Sequence, residues 1–246
     1  MKTTPRRATC LKALLALVSG LSIPFLAVGQ TVPGKAEVRG ITGTATYSVA
    51  GGPAGPLKVG MALASGAVIK TGPESTVDLF LGKSAGVVRV AEKSTFGLDR
   101  LTVTDTGADT AVDIQVNLPE GQMFFNVNKL SQASRYEIKV PNGVAGIRGT
   151  KGSGRSDSSW VLLDGTLIFV HAPTGGQPTP YVLRAPPAVI FTPTDGIKPA
   201  PEDLTLLTRR VVDQIPGRSG VVPPTGVPPG VPPAEPFVSP GTPPAQ

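Results

Sequence analysis

The sequence predicts an all-β chain: a compact, glycine-punctuated β-sandwich or short β-roll or solenoid, then one short C-terminal helix and a disordered proline-rich tail. Three observations carry this. From Ala36 to about His171, short apolar runs are broken by glycine roughly every eight to twelve residues, the texture of many strands joined by tight turns. Ala111 to Leu118 alternates strictly, with Val112, Ile114, Val116 and Leu118 facing one way and Asp113, Gln115 and Asn117 the other, so one face is wet. Tyr136 to Val170 combines Pro141 with glycines at 143, 146, 149, 152, 154 and 165, a density that suits a tightly folded β motif.

The chain divides into four parts: a leader over 1–29, a β domain over 36–172, edge strands and a helix over 173–215, and a tail over 216–246. Residues 1–29 have the build of a cleaved secretory signal. Lys2, Arg6, Arg7 and Lys12 precede an apolar run from Ala13 to Val28 that ends in small residues near Gly29. A retained membrane anchor is the competing reading, but Gly20, Ser22 and Pro24 break the run, which is short for a span of about 20 apolar residues. The only cysteine, Cys10, precedes the apolar run and leaves with the leader, so the mature chain has no thiolate metal ligand and no disulfide. Of 23 Lys and Arg, four lie before Gln30, as do none of the 17 Asp and Glu, which leaves 19 against 17. The basic balance of the full chain therefore belongs largely to targeting, and no basic stripe with interleaved aromatics points to nucleic acid.

Within the β domain, strands are expected near Glu37–Arg39, Ala45–Val49, Ala67–Lys70, Thr76–Leu81, Val87–Val90, Thr95–Leu98, Leu101–Thr104, Ala111–Leu118 and Gln122–Asn128. The last two should pair as a hairpin across Pro119-Glu120-Gly121. Tyr136 to Val140 is a strand ended by Pro141, and Asn142-Gly143 offers a turn with positive φ. Trp160–Leu163 and Thr166–Val170 read as a hairpin closed at Asp164-Gly165. The pair 77–81 and 87–90 has a similar lead-in, a weak internal echo that suggests stacked layers or two corners of a sandwich. Tyr181–Leu183 and Ala188–Phe191 suit edge strands around Pro186-Pro187. Glu202 and Asp203 then open a helix whose packing face is Leu204, Leu207, Val211 and Ile215.

The block Val140-Pro141-Asn142-Gly143-Val144-Ala145-Gly146-Ile147-Arg148-Gly149-Thr150 resembles the most recognisable piece of the FecR domain, the extracytoplasmic module named after the iron-citrate signalling regulator of Gram-negative bacteria. Lys151-Gly152-Ser153-Gly154 departs from the aromatic that usually follows Gly-Thr. The resemblance spans roughly Glu37 to Val170 and implies an exported, non-catalytic β domain used in sensing or in binding other envelope proteins. Regulators of this kind hold a sigma factor with an N-terminal cytoplasmic segment. Here only Met1 to about Lys12 precedes the apolar run, so sigma-factor control is not expected.

No motif carries catalysis convincingly. Asp105-Thr106-Gly107-Ala108 matches the aspartic-protease tetrad, but Thr102 and Thr104 stand where that signature needs apolar residues and no second copy follows; a polar turn is the simpler reading. Asp105, Asp109 and Asp113 lack the closing carboxylate and Gly turn of a calcium loop. Gly82-Lys83-Ser84 has Val77 where a phosphate loop needs glycine. His171, the sole histidine, suits a surface strand end, and Trp160 a core position. Arg148, Gly149 and Thr150 form the candidate binding site, although a structural role for the Arg148 guanidinium, locking the glycine turn, is the stronger expectation.

These readings predict a periplasmic or secreted binding, sensing or scaffold protein of the Gram-negative envelope with a protein partner, no cofactor, no metal and no membrane span after cleavage. A carbohydrate or peptidoglycan binder is the alternative, and few aromatics are available to stack on sugars. A peptidase built on Asp105 ranks third.

Overall fold

The computed structural model describes residues 30–105 and 109–216; the expected leader, residues 106–108 of the expected polar turn and the expected tail after Pro216 lie outside the described residues. The described chain is β structure up to a single short helix. In order come β1 (Gln30–Pro33), β2 (Ala36–Thr42), β3 (Ala45–Val49), β4 (Gly55–Pro56), β5 (Ala62–Leu63) and β6 (Ala67–Thr71). There follow β7 (Thr76–Phe80), β8 (Val87–Val90), β9 (Thr95–Asp105), β10 (Thr110–Glu120), β11 (Gln122–Asn126) and β12 (Arg135–Val140). The last are β13 (Gly143–Arg155), β14 (Trp160–His171), β15 (Thr179–Ala185), β16 (Val189–Thr192), β17 (Gly196–Pro199) and α1 (Glu202–Asp213).

The strands form one curled sheet whose two layers face each other. The first layer runs β4, β3, β6, β9, β10, β12, β13, β14, β15, with β1 added to the far end of β9. The second runs β5, β2, β7, β8, β11, β13, β14, β16, β17. All these neighbours are antiparallel except β10 and β12, which are parallel. Both β13 and β14 belong to both layers. Residues 143–146 of β13 pair with β12, and residues 151–155 pair with β11.

Gly149 and Gly165 permit this crossing. Both have positive φ, +63° and +90°, and the β13–β14 register shifts between Arg148 and Lys151. A Cβ on Gly165 would lie 2.0 Å from the Gly149 carbonyl oxygen. The two halves of β14 then face each other across the core: Trp160 from the second layer lies 5.4 Å from Phe169 of the first, and Phe191 lies 5.3 Å from Phe169. Trp160, Phe169 and Phe191 are all buried, as expected for Trp160. At the two ends of β13 bare backbone makes room for these rings, since a Cβ on Gly143 would meet Phe169 and one on Gly154 would meet Trp160.

Several expectations are corrected. Asp164-Gly165 does not close a hairpin; Trp160 to His171 is one strand, because Gly165 bends the chain between layers and both halves keep pairing with β13. The internal echo therefore holds only for β7 and β8, which do form a hairpin over Gly82-Lys83-Ser84. The glycine turn expected around Arg148 is instead part of a continuous strand, Gly143–Arg155. Neither Asn142 nor Gly143 has positive φ. Gly146 is under no close approach, since its Cβ would meet only the Ile168 oxygen at 3.9 Å. The 95–98 and 101–104 segments are one strand, β9. Likewise β10 and β11 do not pair; Pro119-Glu120-Gly121 is a corner, and β11 enters the second layer beside β8 and β13.

Helix α1 covers the outer face of the second layer. Val212, Val161 and Leu163 form a buried cluster with Phe124, Ile190, Ala200 and Leu204 packed around it. The packing face is Leu204, Thr208, Val212 and Ile215, while Leu207 is exposed, one step round the helix from the expected stripe. Asp78 and Arg89, paired across β7 and β8 by two hydrogen bonds of 2.6 and 2.7 Å, hold the helix end through Arg89 Nη2 and the Gln214 carbonyl at 3.4 Å. The same pair holds the Arg89 guanidinium above its ordinary pKa, through the Asp78 hydrogen bond against the cost of burial.

Gly165→Ala should cost at least about 2 kcal/mol, because it combines a left-handed backbone with a main-chain clash. Gly146→Ala should change stability by no more than about 1 kcal/mol, in either direction. Urea unfolding of the two variants checks both.

Candidate functional site

Of the three residues singled out in the sequence, two build the crossing and one faces solvent. Thr150 is fully buried. Its Oγ1 donates to the Thr166 carbonyl at 2.9 Å and accepts from the Arg148 N–H at 3.1 Å, while its main chain exchanges bonds of 3.0 and 3.1 Å with Val127. Gly149 supplies the positive φ beside it. The expected lock by the Arg148 guanidinium is thus made by the Thr150 hydroxyl. Arg148 itself is exposed, and no ion pair or hydrogen bond engages its side chain among the described residues.

The register places Arg148 on the outer face of the first layer. Cross-strand neighbours there form three rows over β13, β14 and β15: Arg148, Thr166 and Arg184; Gly146, Ile168 and Val182; Val144, Val170 and Pro180. Inward residues alternate with these, since Ala145, Ile147, Leu167, Phe169 and Leu183 are buried. Ile168, Val170 and Val182 are 48%, 37% and 47% exposed, which makes an open apolar platform with an arginine row at one end. At the other end lies a shallow depression of about 360 Å³ between Val144, Pro141, Ala172 and Pro119.

Towards β9 to β12 the same face becomes charged and internally neutral. Arg100 pairs with Asp113 at 3.1 Å, Lys139 with Asp99 at 3.2 Å, and Arg135 Nε donates to Glu137 at 2.7 Å. Gln115 Nε2 also donates to Glu137, at 2.9 Å. Burial pushes the Glu137 carboxyl up, but the Arg135 and Gln115 hydrogen bonds and the Arg135 and Arg100 charges outweigh it and hold the carboxyl below its ordinary value. The acids that neighbour the platform are therefore engaged, and Arg148 and Arg184 are the unpaired cations of the outer rows over β13 to β15; the exposed Lys70 and Glu120 lie further off, in the row of Thr95.

The remaining candidates are dispersed. Asp105 ends β9 on an exposed hairpin whose tip is outside the described residues. Asp113 is spent on Arg100, well along β10 from that tip. His171 ends β14, half-buried, with its ring 5.7 Å from that of Phe169. A second depression, about 380 Å³, lies beside α1, where Lys151 and Arg209 face Asp164 and Asp213 and the charges balance. Arg184 and the apolar rows were not legible as a site from sequence; the signal available was that 166–170 and 181–183 are apolar on both faces of a strand.

Residues 67–167 match the family profile described as FecR protein. The stretch is thus similar to FecR domains. It runs from the start of β6 to Leu167 in β14, so the Arg148–Thr150 block lies inside it and β15 with Arg184 outside. Such a domain marks a sensing or signalling module. Two crystal structures, each of a candidate anti-sigma factor from Parabacteroides distasonis ATCC 8503, are similar to this chain. One, at 1.65 Å resolution, has 15% identity and a TM-score of 0.41, covering 58% of this chain and 64% of that one. The other, at 2.50 Å, has 19% identity and a TM-score of 0.31, covering 57% and 58%. The chain thus spans less than two thirds of either. None of the curated proteins matches it.

Thr150→Val removes the hydroxyl but keeps the volume; it should cost about 1–3 kcal/mol, because the Thr166 carbonyl loses its partner in a buried site. Arg148→Gln should stay within about 0.5 kcal/mol of the parent. Denaturant unfolding distinguishes them. Glu137, with its folded pKa depressed, contributes stability that is present above its unfolded pKa of about 4.3 and lost as pH falls through the folded value. The stability difference between pH 6 and pH 3 should therefore be smaller in Glu137→Gln, as read by urea midpoints at the two pH values.

Proposed function

We propose that the protein is an exported, non-catalytic sensing or binding module of the Gram-negative envelope that works by protein–protein contact. The working unit is the β domain over 36–172, with 173–215 packed on it, delivered by a cleaved leader over 1–29. The observation that carries this reading is the FecR domain at 67–167, with the unpaired Arg148 on its open face. The leader-like order of charged, apolar and small residues supports export. No helix among the described residues is long and apolar enough to cross a membrane.

A glycan-binding reading draws little support from the aromatics. Trp160, Tyr136, Phe96, Phe125, Phe169 and Phe191 are fully buried and cannot stack on a sugar.

Fusion of residues 1–35 to alkaline phosphatase should give an enzyme active outside the cytoplasm, and the processed chain should begin near Gln30 by N-terminal mass spectrometry. In pull-downs from envelope extract, the processed chain should retain a protein after glycan is digested away. Retention on peptidoglycan or polysaccharide alone would contradict the reading, as would a fusion inactive outside the cytoplasm.

A further inference from the structure

The two outer faces that β14 presents differ in what covers them. Along its first half, the outward residues Val161 and Leu163 are buried because α1 lies on them. Along its second half, the outward residues Ile168 and Val170 stand open, as does Val182 beside them on β15. On either side of Asp164-Gly165-Thr166 the strand therefore carries apolar side chains on both faces, the pattern of a strand covered on both sides. The cover is supplied in cis over one half only.

The charges state what kind of cover fits the other half. Arg148 and Arg184 flank Thr166 in one cross-strand row. Neighbouring strands are about 4.8 Å apart, so the two guanidiniums stand two strands, roughly 10 Å, from each other at their roots and can converge on one group above Thr166. The nearer acids of this face, Asp99, Asp113 and Glu137, already serve Lys139, Arg100 and Arg135. Two like charges side by side with no counter-charge favour a carboxylate brought from outside. From this row to Val144 is four residues, about 13 Å along the strand.

We propose that this face, Val144, Ile168, Val170 and Val182 with Arg148 and Arg184, is the docking surface for an extended segment of a partner protein that is apolar and carries a carboxylate at one end. The carboxylate sits over Thr166 between the arginines, and the apolar residues lie on the platform towards Val144. This rests on the protein-contact reading above and adds the chemistry of the partner and its place. A second copy of the chain is a poorer occupant, because the same platform turned on itself brings arginine against arginine, and its three rows over β13 to β15 hold no acid.

The test places a photoreactive benzophenone residue at Ile168 or Val182 of the full chain in the cell, with Val49 and Leu206, also exposed, as control positions. Cross-links at both 168 and 182 should map to one segment of another protein, apolar with an Asp or Glu at one end. Their yield should fall at least tenfold in the Arg148→Gln, Arg184→Gln double variant and persist with Lys at both positions. Unchanged thermal melting shows that the double variant is folded. Cross-links to a second copy, to residues 217–246, or to a segment without an acid would overturn the proposal, and so would a yield indifferent to the arginines. Protein cross-links at Val49 or Leu206 with none at 168 and 182 would overturn this surface and leave protein contact standing. Protein cross-links at none of the four positions would overturn both.

Discussion

The fold depends on one crossing, where Gly149 and Gly165 oppose each other on β13 and β14 and let a pair of strands leave one layer for the other. Both carry a backbone conformation that side chains resist, and the Gly149 oxygen occupies the space a Gly165 Cβ would need. Thr150 holds the bend by spending its hydroxyl on the Thr166 carbonyl and the Arg148 N–H. With the bend in place, Trp160 and Phe169, nine residues apart on one strand, meet across the core. The core is thus closed by a single long ribbon folded over itself, and the layers share a ladder instead of merely touching.

The same bend explains why the surface is uneven. It turns the outward residues of β14 from one side of the molecule to the other, so Val161 and Leu163 fall under α1 while Ile168 and Val170 do not. The Arg148-Gly149-Thr150 block then reads as one device with two outputs. Gly149 and Thr150 make the corner, and Arg148, raised by it to the outer face, marks one end of the open platform. The buried corner and the exposed arginine are adjacent residues of one motif, inside the stretch that matches the FecR family.

Much of this was legible in the sequence, but not evenly. Alternation on β10 reported its wet and dry faces because a half-buried strand must alternate. Tight runs such as 45–49 and 87–90 gave their own boundaries. Asp164-Gly165 misled, since the residue pair that closes a two-residue hairpin also suits a bulge, and only the partner strand decides which forms. β13 was hidden for a related reason: its glycines lower strand propensity, and all but Gly146 stand where Trp160, Phe169 or neighbouring main chain need the room. Arg148 stood out through the FecR-like block, whereas Arg184 lies 36 positions later and becomes its neighbour only through the β13–β14–β15 register. Register between distant strands is a tertiary property, and no local pattern encodes it.

The central claim is that residues 160–171 form one strand shared by two layers. Cross-strand Hα and amide contacts in a proton NMR spectrum test it most directly. The account predicts contacts from Gly152 to Leu162 and from Val144 to Val170, with none between 160–163 and 166–170. Contacts pairing Leu163 with Thr166 and Val161 with Ile168 would instead show a hairpin closed at Asp164-Gly165, and the shared ladder, with the open face it creates, would be wrong.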